Sequence, residues 1–243
     1  MRKFGLIGFP LSHSFSKKYF SEKFEREGLI ECQFENFPIA SLSEFKNILQ
    51  QHPDLEGLGV TIPYKESIIS FLDEVSDMVK KVRACNCIKI RKGKLIGFNT
   101  DVAGFESSLK TVLRPGQKNA LILGTGGASK AVEYVLKQFN IACRYVSRKP
   151  SSQNLSYEQI TPEVIAETNI IINTSPLGMY PGVVEAPDIP YYAITQNHLL
   201  FDLIYNPEKT LFLKKGEAKG ALIKNGIEML KIQAEENWKI WNT

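Results

Sequence analysis

The sequence is poor in the residues that build metal centres and disulfide frameworks. Its 243 residues hold four cysteines, Cys32, Cys85, Cys87 and Cys143, and three scattered histidines, with no C-x-x-C. Neither a zinc site nor a disulfide scaffold is expected from that spacing. Reduced thiols fit a cytoplasmic protein without a bound metal. No apolar run is long enough to span a bilayer, and the opening M-R-K-F-G-L-I-G-F-P breaks at glycine and proline too soon for a secretory leader. Strong charge of either sign is missing as well. A net charge of +4, from 30 Lys and Arg interspersed with 26 Asp and Glu, is too weak for a nucleic-acid surface and supports only a mild pull on small anions. Internal repeats and low-complexity segments are absent. What remains, 43% apolar and 23% charged, is an ordinary globular chain with length for one large domain or two moderate ones.

The clearest pattern is at residues 119–139, N-A-L-I-L-G-T-G-G-A-S-K-A-V-E-Y-V-L-K-Q-F. Residues 120–123 form a short apolar run suited to a strand buried on both faces of a parallel sheet. Gly124, Gly126 and Gly127 follow, and then Ala128, Ala131, Val132, Val135, Leu136 and Phe139 trace the apolar stripe of a helix. Strand, glycine turn and helix in this order bring backbone N–H groups up to an anion, and a dinucleotide pyrophosphate is the natural occupant. The spacing is G-x-G-G-A, not the commoner G-x-G-x-x-G, and the loop by itself leaves a plain structural turn open. A second strand at 142–146 ends in Ser147-Arg148-Lys149, where an NAD-binding chain usually offers an acid to the ribose 2′-hydroxyl. Two cations and a hydroxyl suit a 2′-phosphate, which favours NADP over NAD; the alternative is a solvated loop.

Elsewhere the chain alternates strands and helices. A strand at 4–8 runs into G-F-P-L-S-H-S-F-S, which puts Ser12, His13, Ser14 and Ser16 at a strand's carboxyl end, where α/β sheets bind small ligands. A helix over 17–27 follows, and Ser16 is equally suited to cap it. Strand 34–37, helix 41–51 and strand 58–61 come next. The proline of G-V-T-I-P-Y-K predicts a helix from about Tyr64. Lys65 then sits in a first turn, where the helix dipole disfavours a cation, so it is either an ordinary surface lysine or a functional one. A hairpin is expected over 83–98, opening at Asn86 and closing at Asn99-Thr100-Asp101, with Asp101 placed to cap a helix at 102–112. Strands at 169–174, 199–203 and 221–223, a helix at 211–219 and a final helix over Ile227–Trp241 complete the pattern.

With these motifs in order, the whole chain resembles the shikimate dehydrogenase family. Ser14 and Ser16 look like its substrate-carboxylate clamp. G-V-T-I-P-Y-K is similar to the segment that supplies a substrate-binding threonine, here Thr61, and the catalytic lysine, here Lys65. Asn86 in A-C-N-C-I, and Asp101 in N-T-D-x-x-G, correspond to a substrate ligand and to the aspartate that partners the lysine. Gly124, Thr125, Gly126, Gly127 and Ala128 resemble its NADP loop, and Ser147, Arg148 and Lys149 its 2′-phosphate clamp. N-T-S-P-L-G-M with Thr174 and Ser175, the segment of Leu203 and Tyr205, and N-G-I-E-M-L-K-I-Q-A with Gly226, Met229 and Gln233 match its nicotinamide side, Tyr205 and Gln233 being implied as substrate ligands. Three positions depart from the family pattern: Lys17 stands where proline is usual, Gly59 where asparagine is common, and Lys149 where threonine is common.

The resemblance implies an α/β fold of two domains. Residues 1–103 with 224–243 would form the substrate-binding catalytic domain, and 104–223 a Rossmann-type, doubly wound NADP domain, with the C-terminal helix returning to the first. It implies reversible NADP-dependent reduction of 3-dehydroshikimate to shikimate, with no metal, no nucleic acid and no membrane partner, in a cytoplasmic monomer or homodimer. The alternatives are a quinate/shikimate dehydrogenase of broader substrate or cofactor range, and a non-catalytic NADP-binding regulatory module.

Overall fold

The computed structural model describes every residue except Ser12, His13, Pro150 and Gln153. The chain divides into two compact units, one made of Met1–Thr100 with Gln233–Thr243 and the other of Asp101–Ile232. No helix among the described residues is long and apolar enough to cross a membrane.

The first unit runs β1 (Arg2–Gly8), α1 (Phe15–Arg26), β2 (Cys32–Pro38), α2 (Phe45–Gln51), β3 (Leu55–Val60), β4 (Glu74–Val75), α3 (Asp77–Val82), β5 (Cys87–Arg91) and β6 (Lys94–Phe98). These strands form one mixed sheet in the order β2-β1-β3-β5-β6-β4. β1, β2 and β3 are parallel, and β5 reverses direction against β3. Alternation along the strands loads the two faces separately. Ile7, Phe37, Leu58, Val60 and Ile88 join Phe45, Ile48, Ile68 and Val79 in one core, while Phe4, Leu6, Phe34 and Cys87 join Phe20, Phe24, Ala234 and Trp241 in the other. Trp241 lies against the Phe4 ring, centroids 5.1 Å apart, and donates its indole N–H to the Ile88 carbonyl at 3.0 Å. Lys23 of α1 bonds Glu27 and Glu235, each at 2.9 Å. Burial pulls the Lys23 pKa down, but these bonds to its ammonium outweigh that and leave it raised.

The second unit runs α4 (Asp101–Lys110), β7 (Asn119–Leu123), α5 (Gly127–Gln138), β8 (Ala142–Val146), β9 (Asn154–Leu155), α6 (Pro162–Ala166), β10 (Ile170–Asn173), β11 (Leu199–Asp202), α7 (Leu211–Glu217), β12 (Leu222–Lys224) and α8 (Ile227–Trp241), whose last turns are grouped with the first unit. Its sheet is parallel throughout, in the order β12-β11-β10-β7-β8-β9. That order is the doubly wound one, with its direction reversing between β7 and β10. β10 and β11 are wholly buried, as expected of strands covered on both faces.

Local differences from the sequence expectation have identifiable causes. No α-helix starts at Tyr64; Lys65 sits in a turn, and a short 3-10 helix follows at Ser67–Phe71. The Lys65 carbonyl, which an α-helix would offer to Ile69, accepts the Cys85 N–H at 2.7 Å instead. Ser14, not Ser16, occupies the N-cap of α1. β4, α3, β9 and α6, which are two to six residues long, are absent from the expected pattern. Elements of that length complete too few periods to register in sequence.

The fit of Trp241 on β3 is testable. A β-carbon at Gly57 would stand 2.3 Å from Trp241 Cδ1. Gly57→Ala is expected to destabilise by about 1–3 kcal/mol and Trp241→Ala by about 3–5 kcal/mol. In the double variant the Gly57→Ala cost should shrink to less than about 1 kcal/mol, because the clashing ring is gone. Urea unfolding of the four proteins measures the coupling, and strictly additive losses contradict the contact.

Candidate active site

In the first unit the singled-out residues gather at one edge of the sheet, beyond the carboxyl ends of β1 and β3. Thr61 follows β3 directly and donates its N–H to the Ile7 carbonyl at 3.0 Å. β5 is antiparallel to β3, so its start lies at that same edge: Cys87 faces Gly59, and the Asn86 carbonyl accepts the Val60 N–H at 2.9 Å. Ser14 and Ser16 open α1, which leaves this edge from β1. The Ser14 side chain makes no capping bond, and its Oγ is buried without a hydrogen-bond partner among the described residues. Ser12 and His13 lie outside those residues. Lys65 is half-buried, in the turn beyond Thr61.

Asn86 is the junction of the edge. Its Oδ1 accepts the Thr100 N–H at 2.7 Å, while its Nδ2 donates to Thr100 Oγ1 at 2.9 Å and to Gln233 Oε1 at 3.3 Å. Asn237, one turn further along α8, donates to the same Gln233 oxygen at 3.3 Å and accepts the Thr100 hydroxyl at 2.7 Å. All four side chains are buried. The structure therefore joins Asn86 to Gln233, and adds Thr100 and Asn237, which sequence reasoning did not single out. The signal for Asn237 was its i+4 spacing from Gln233 on one helix face. Asp101, also buried, follows Thr100 in the chain and begins α4.

The surroundings of the three departures are clear. A β-carbon at Gly59 would stand 3.0 Å from Leu6 Cδ1, so a leucine already occupies the side of β3 toward which an asparagine there would project. Lys17 and Lys149 are exposed.

In the second unit the glycine turn sits at the topological switch point. Gly124 has φ +114°, and a β-carbon on it would stand 2.9 Å from Thr174 Oγ1, so only glycine lets the β10 loop lie against this turn. Thr125 and Gly126 are exposed, a β-carbon at Gly126 would meet nothing within 4 Å, and no side chain caps α5 there. Gly127 and Ala128 start the helix, whose first N–H groups have no carbonyl partner within it. The Gly124 N–H bonds the Val146 carbonyl at 2.9 Å, which sets Ser147, Arg148 and Lys149 next to the turn, both cations exposed. This donor-rich, anion-accepting layout fits the phosphates of NADP. Leu203 and Gly226 meet closely as well: the Gly226 N–H bonds the Ile204 carbonyl at 3.0 Å, and a β-carbon there would collide with the Leu203 carbonyl oxygen. Met229 is buried one turn into α8, and Tyr205 is half-buried on the β11 loop.

Sequence reasoning also passed over Asp202 and Asn173, the last residues of β11 and β10. They face each other in register, both fully buried, with Asn173 Nδ2 donating to Asp202 Oδ1 at 3.1 Å. Asp202 further accepts the Ile204 N–H at 3.0 Å and the Thr210 hydroxyl at 2.6 Å. Burial pushes the Asp202 carboxyl up to about 7, against the pull of these three donors.

The family model for the shikimate dehydrogenase substrate binding domain matches residues 6–88. The NADP-dependent shikimate dehydrogenase of Caldicellulosiruptor saccharolyticus is 35% identical over 99% of this chain and 92% of its own length. A shikimate dehydrogenase structure from Peptoclostridium difficile superposes with a TM-score of 0.87 at 37% identity, covering 100% of this chain and 92% of that one. The shikimate 5-dehydrogenase of Thermus thermophilus, solved in complex with NADP(H) and shikimate, gives a TM-score of 0.87 at 28% identity over 99% and 93% of the two chains.

Asp202 predicts a pH signature. In the unfolded chain an aspartate ionises near ~3.9, whereas in the fold this one holds its proton to about 7. Between those values the folded state keeps a proton that the unfolded state has lost. The group's contribution to stability is therefore full at low pH, falls as pH rises through 7, and is level beyond; the whole swing is on the order of 4 kcal/mol. The melting temperature of the native chain relative to Asp202→Asn is expected to drop between pH 5 and pH 8. A difference that stays constant over that range contradicts the assignment.

Proposed function

The chain belongs to the shikimate dehydrogenase family, and on that premise we propose that it catalyses the reversible NADP-dependent reduction of 3-dehydroshikimate to shikimate, a step toward chorismate and the aromatic amino acids. The observation that carries this reading furthest is the buried Ser14 hydroxyl at the start of α1, which has no hydrogen-bond partner among the described residues. A buried donor without an acceptor is costly, and a substrate carboxylate placed against a helix N-terminus removes that cost.

The unit of Met1–Thr100 and Gln233–Thr243 is the substrate domain, and Asp101–Ile232 the NADP domain. Ser14 and Ser16 hold the substrate carboxylate. Thr61, Asn86, Tyr205 and Gln233 pair with its hydroxyls, so that a substrate lacking one leaves a buried polar group unmatched. Lys65 donates a proton to the carbonyl oxygen as it becomes an alkoxide and takes one back in the oxidation direction, while Asp101 orients the ammonium. Gly124, Thr125, Gly126, Gly127 and Ala128 cradle the pyrophosphate. Ser147, Arg148 and Lys149 bind the 2′-phosphate, and Thr174, Ser175, Leu203, Gly226 and Met229 flank the nicotinamide. When bound, NADPH supplies the hydride. The enzyme works in the cytoplasm, as a monomer or a homodimer.

Initial rates with shikimate and with quinate, each with NADP and with NAD, test the reading. Activity is expected with shikimate and NADP above every other pair, and no turnover with any pair overturns it. Arg148→Ala should lower the NADP-to-NAD ratio of kcat/KM by about tenfold or more, mainly through KM for NADP, since each charge-assisted phosphate bond contributes about 1.5–3 kcal/mol. Lys65→Ala should lower kcat by about 10²–10⁴ while NADPH affinity stays within about twofold of native. Near-native turnover in that variant removes Lys65 from the chemistry.

A further inference from the structure

Asp202 and Asn173 close the bases of the two loops that leave β10 and β11. Asn173 satisfies its whole amide there: Nδ2 donates to the Leu177 carbonyl at 3.2 Å and to Asp202 at 3.1 Å, while Oδ1 accepts the Ser175 N–H at 3.1 Å and the Ser175 hydroxyl at 2.6 Å. Asp202 does the same for the next loop. One of its oxygens takes the Ile204 N–H at the loop's start, and the other takes the hydroxyl of Thr210 at its end, where Thr210 also caps α7. Asp202, Asn173 and Thr210 have no solvent exposure. A fully buried carboxyl would be excluded on packing grounds alone, since an apolar residue avoids its desolvation penalty.

The two loops are also fixed to the glycine turn and to the start of α8. Thr174 donates both its N–H and its hydroxyl to the Leu123 carbonyl at 3.0 Å, beside the turn. Leu203 donates its N–H to the Asn173 carbonyl at 3.0 Å, and Ile204 accepts from Gly226. A shift at the Asp202–Asn173 pair therefore moves Thr174, Ser175, Leu203 and Tyr205 together, while the far side of the turn, with Ser147, Arg148 and Lys149, is held by separate bonds from β8.

We propose that Asp202 is a positioning residue, whose buried carboxyl sets both loops so that they grip the nicotinamide half of the dinucleotide and leave the adenosine half to the glycine turn and the Ser147 segment. The proposal rests on the NADP reading above. Two probes separate the halves: NADPH, and adenosine 2′,5′-bisphosphate, which lacks the nicotinamide.

In Asp202→Ala, NADPH affinity is expected to fall by about tenfold or more, with bisphosphate affinity within about twofold of native, because the three buried bonds from Asn173, Ile204 and Thr210 at the loop bases are lost. Asp202→Asn should restore NADPH affinity to within about threefold, since its amide oxygen still accepts from Ile204 and Asn173 and its NH2 can donate to the Thr210 hydroxyl. Thr210→Val, which removes one tether while keeping its shape, should weaken NADPH selectively by about three- to tenfold. This variant carries the test where Asp202→Ala does not fold. Equal loss of both probes, or no loss of NADPH, overturns the positioning role while the NADP reading stands. Native protein that binds neither probe overturns the NADP reading and this proposal with it.

Discussion

A buried amide has to place both of its N–H bonds and its oxygen inside the protein, and at Asn86 that requirement organises the first unit. Its partners are Thr100, at the end of the hairpin, and Gln233, 147 residues away in sequence. Neither segment can drift without leaving a polar group unpaired in the interior, which costs more than the bond itself contributes. The apolar side of α8 supports the same placement, because Trp241 fills the face of the sheet that Gly57 leaves open. Polar pairing fixes the register of the helix, and apolar packing supplies the bulk of its attachment.

The second unit solves the same problem at Asn173 and Asp202. Parallel strands end together at one edge, and the chain must turn away from each end without stranding its backbone donors and acceptors. In the first unit that edge carries amides and hydroxyls facing one another. In the second it carries a carboxyl and an amide facing each other beneath the loops, with the glycine turn beside them. The two edges therefore suit different ligands: a small hydroxylated anion for the first, and a long phosphorylated one for the second.

Much of this was readable in the sequence because it is local. The apolar run of β7, the glycines and the stripe of α5 are contiguous, and the period of each element survives in the residues themselves. The limits of α8 and β8 are likewise those expected from periodicity. What escaped was set by partners far along the chain. Lys65 misses its helix because the N–H of Cys85 claims its carbonyl, and Asp202 is marked out by Asn173, 29 residues earlier. Thr100 and Asn237 look like ordinary polar residues until the fold buries them against Asn86 and Gln233. The candidate site's chemistry could be named from motifs, but the scaffold that orients it depends on pairings that no local pattern encodes.

The division of α8 between the two units bears on how the chain becomes a protein. Residues Asp101–Ile232 are contiguous, so every strand of the parallel sheet exists once Ile232 has been synthesised. The first unit is different, although it starts first. Its Phe4 face has no Trp241, and its Asn86 no Gln233, until α8 has been added. The order of synthesis and the order of completion are thus reversed. A nascent chain carries an open aromatic face for as long as Asp101–Ile232 is being made, and α8, whose last turns follow, is the helix that covers it.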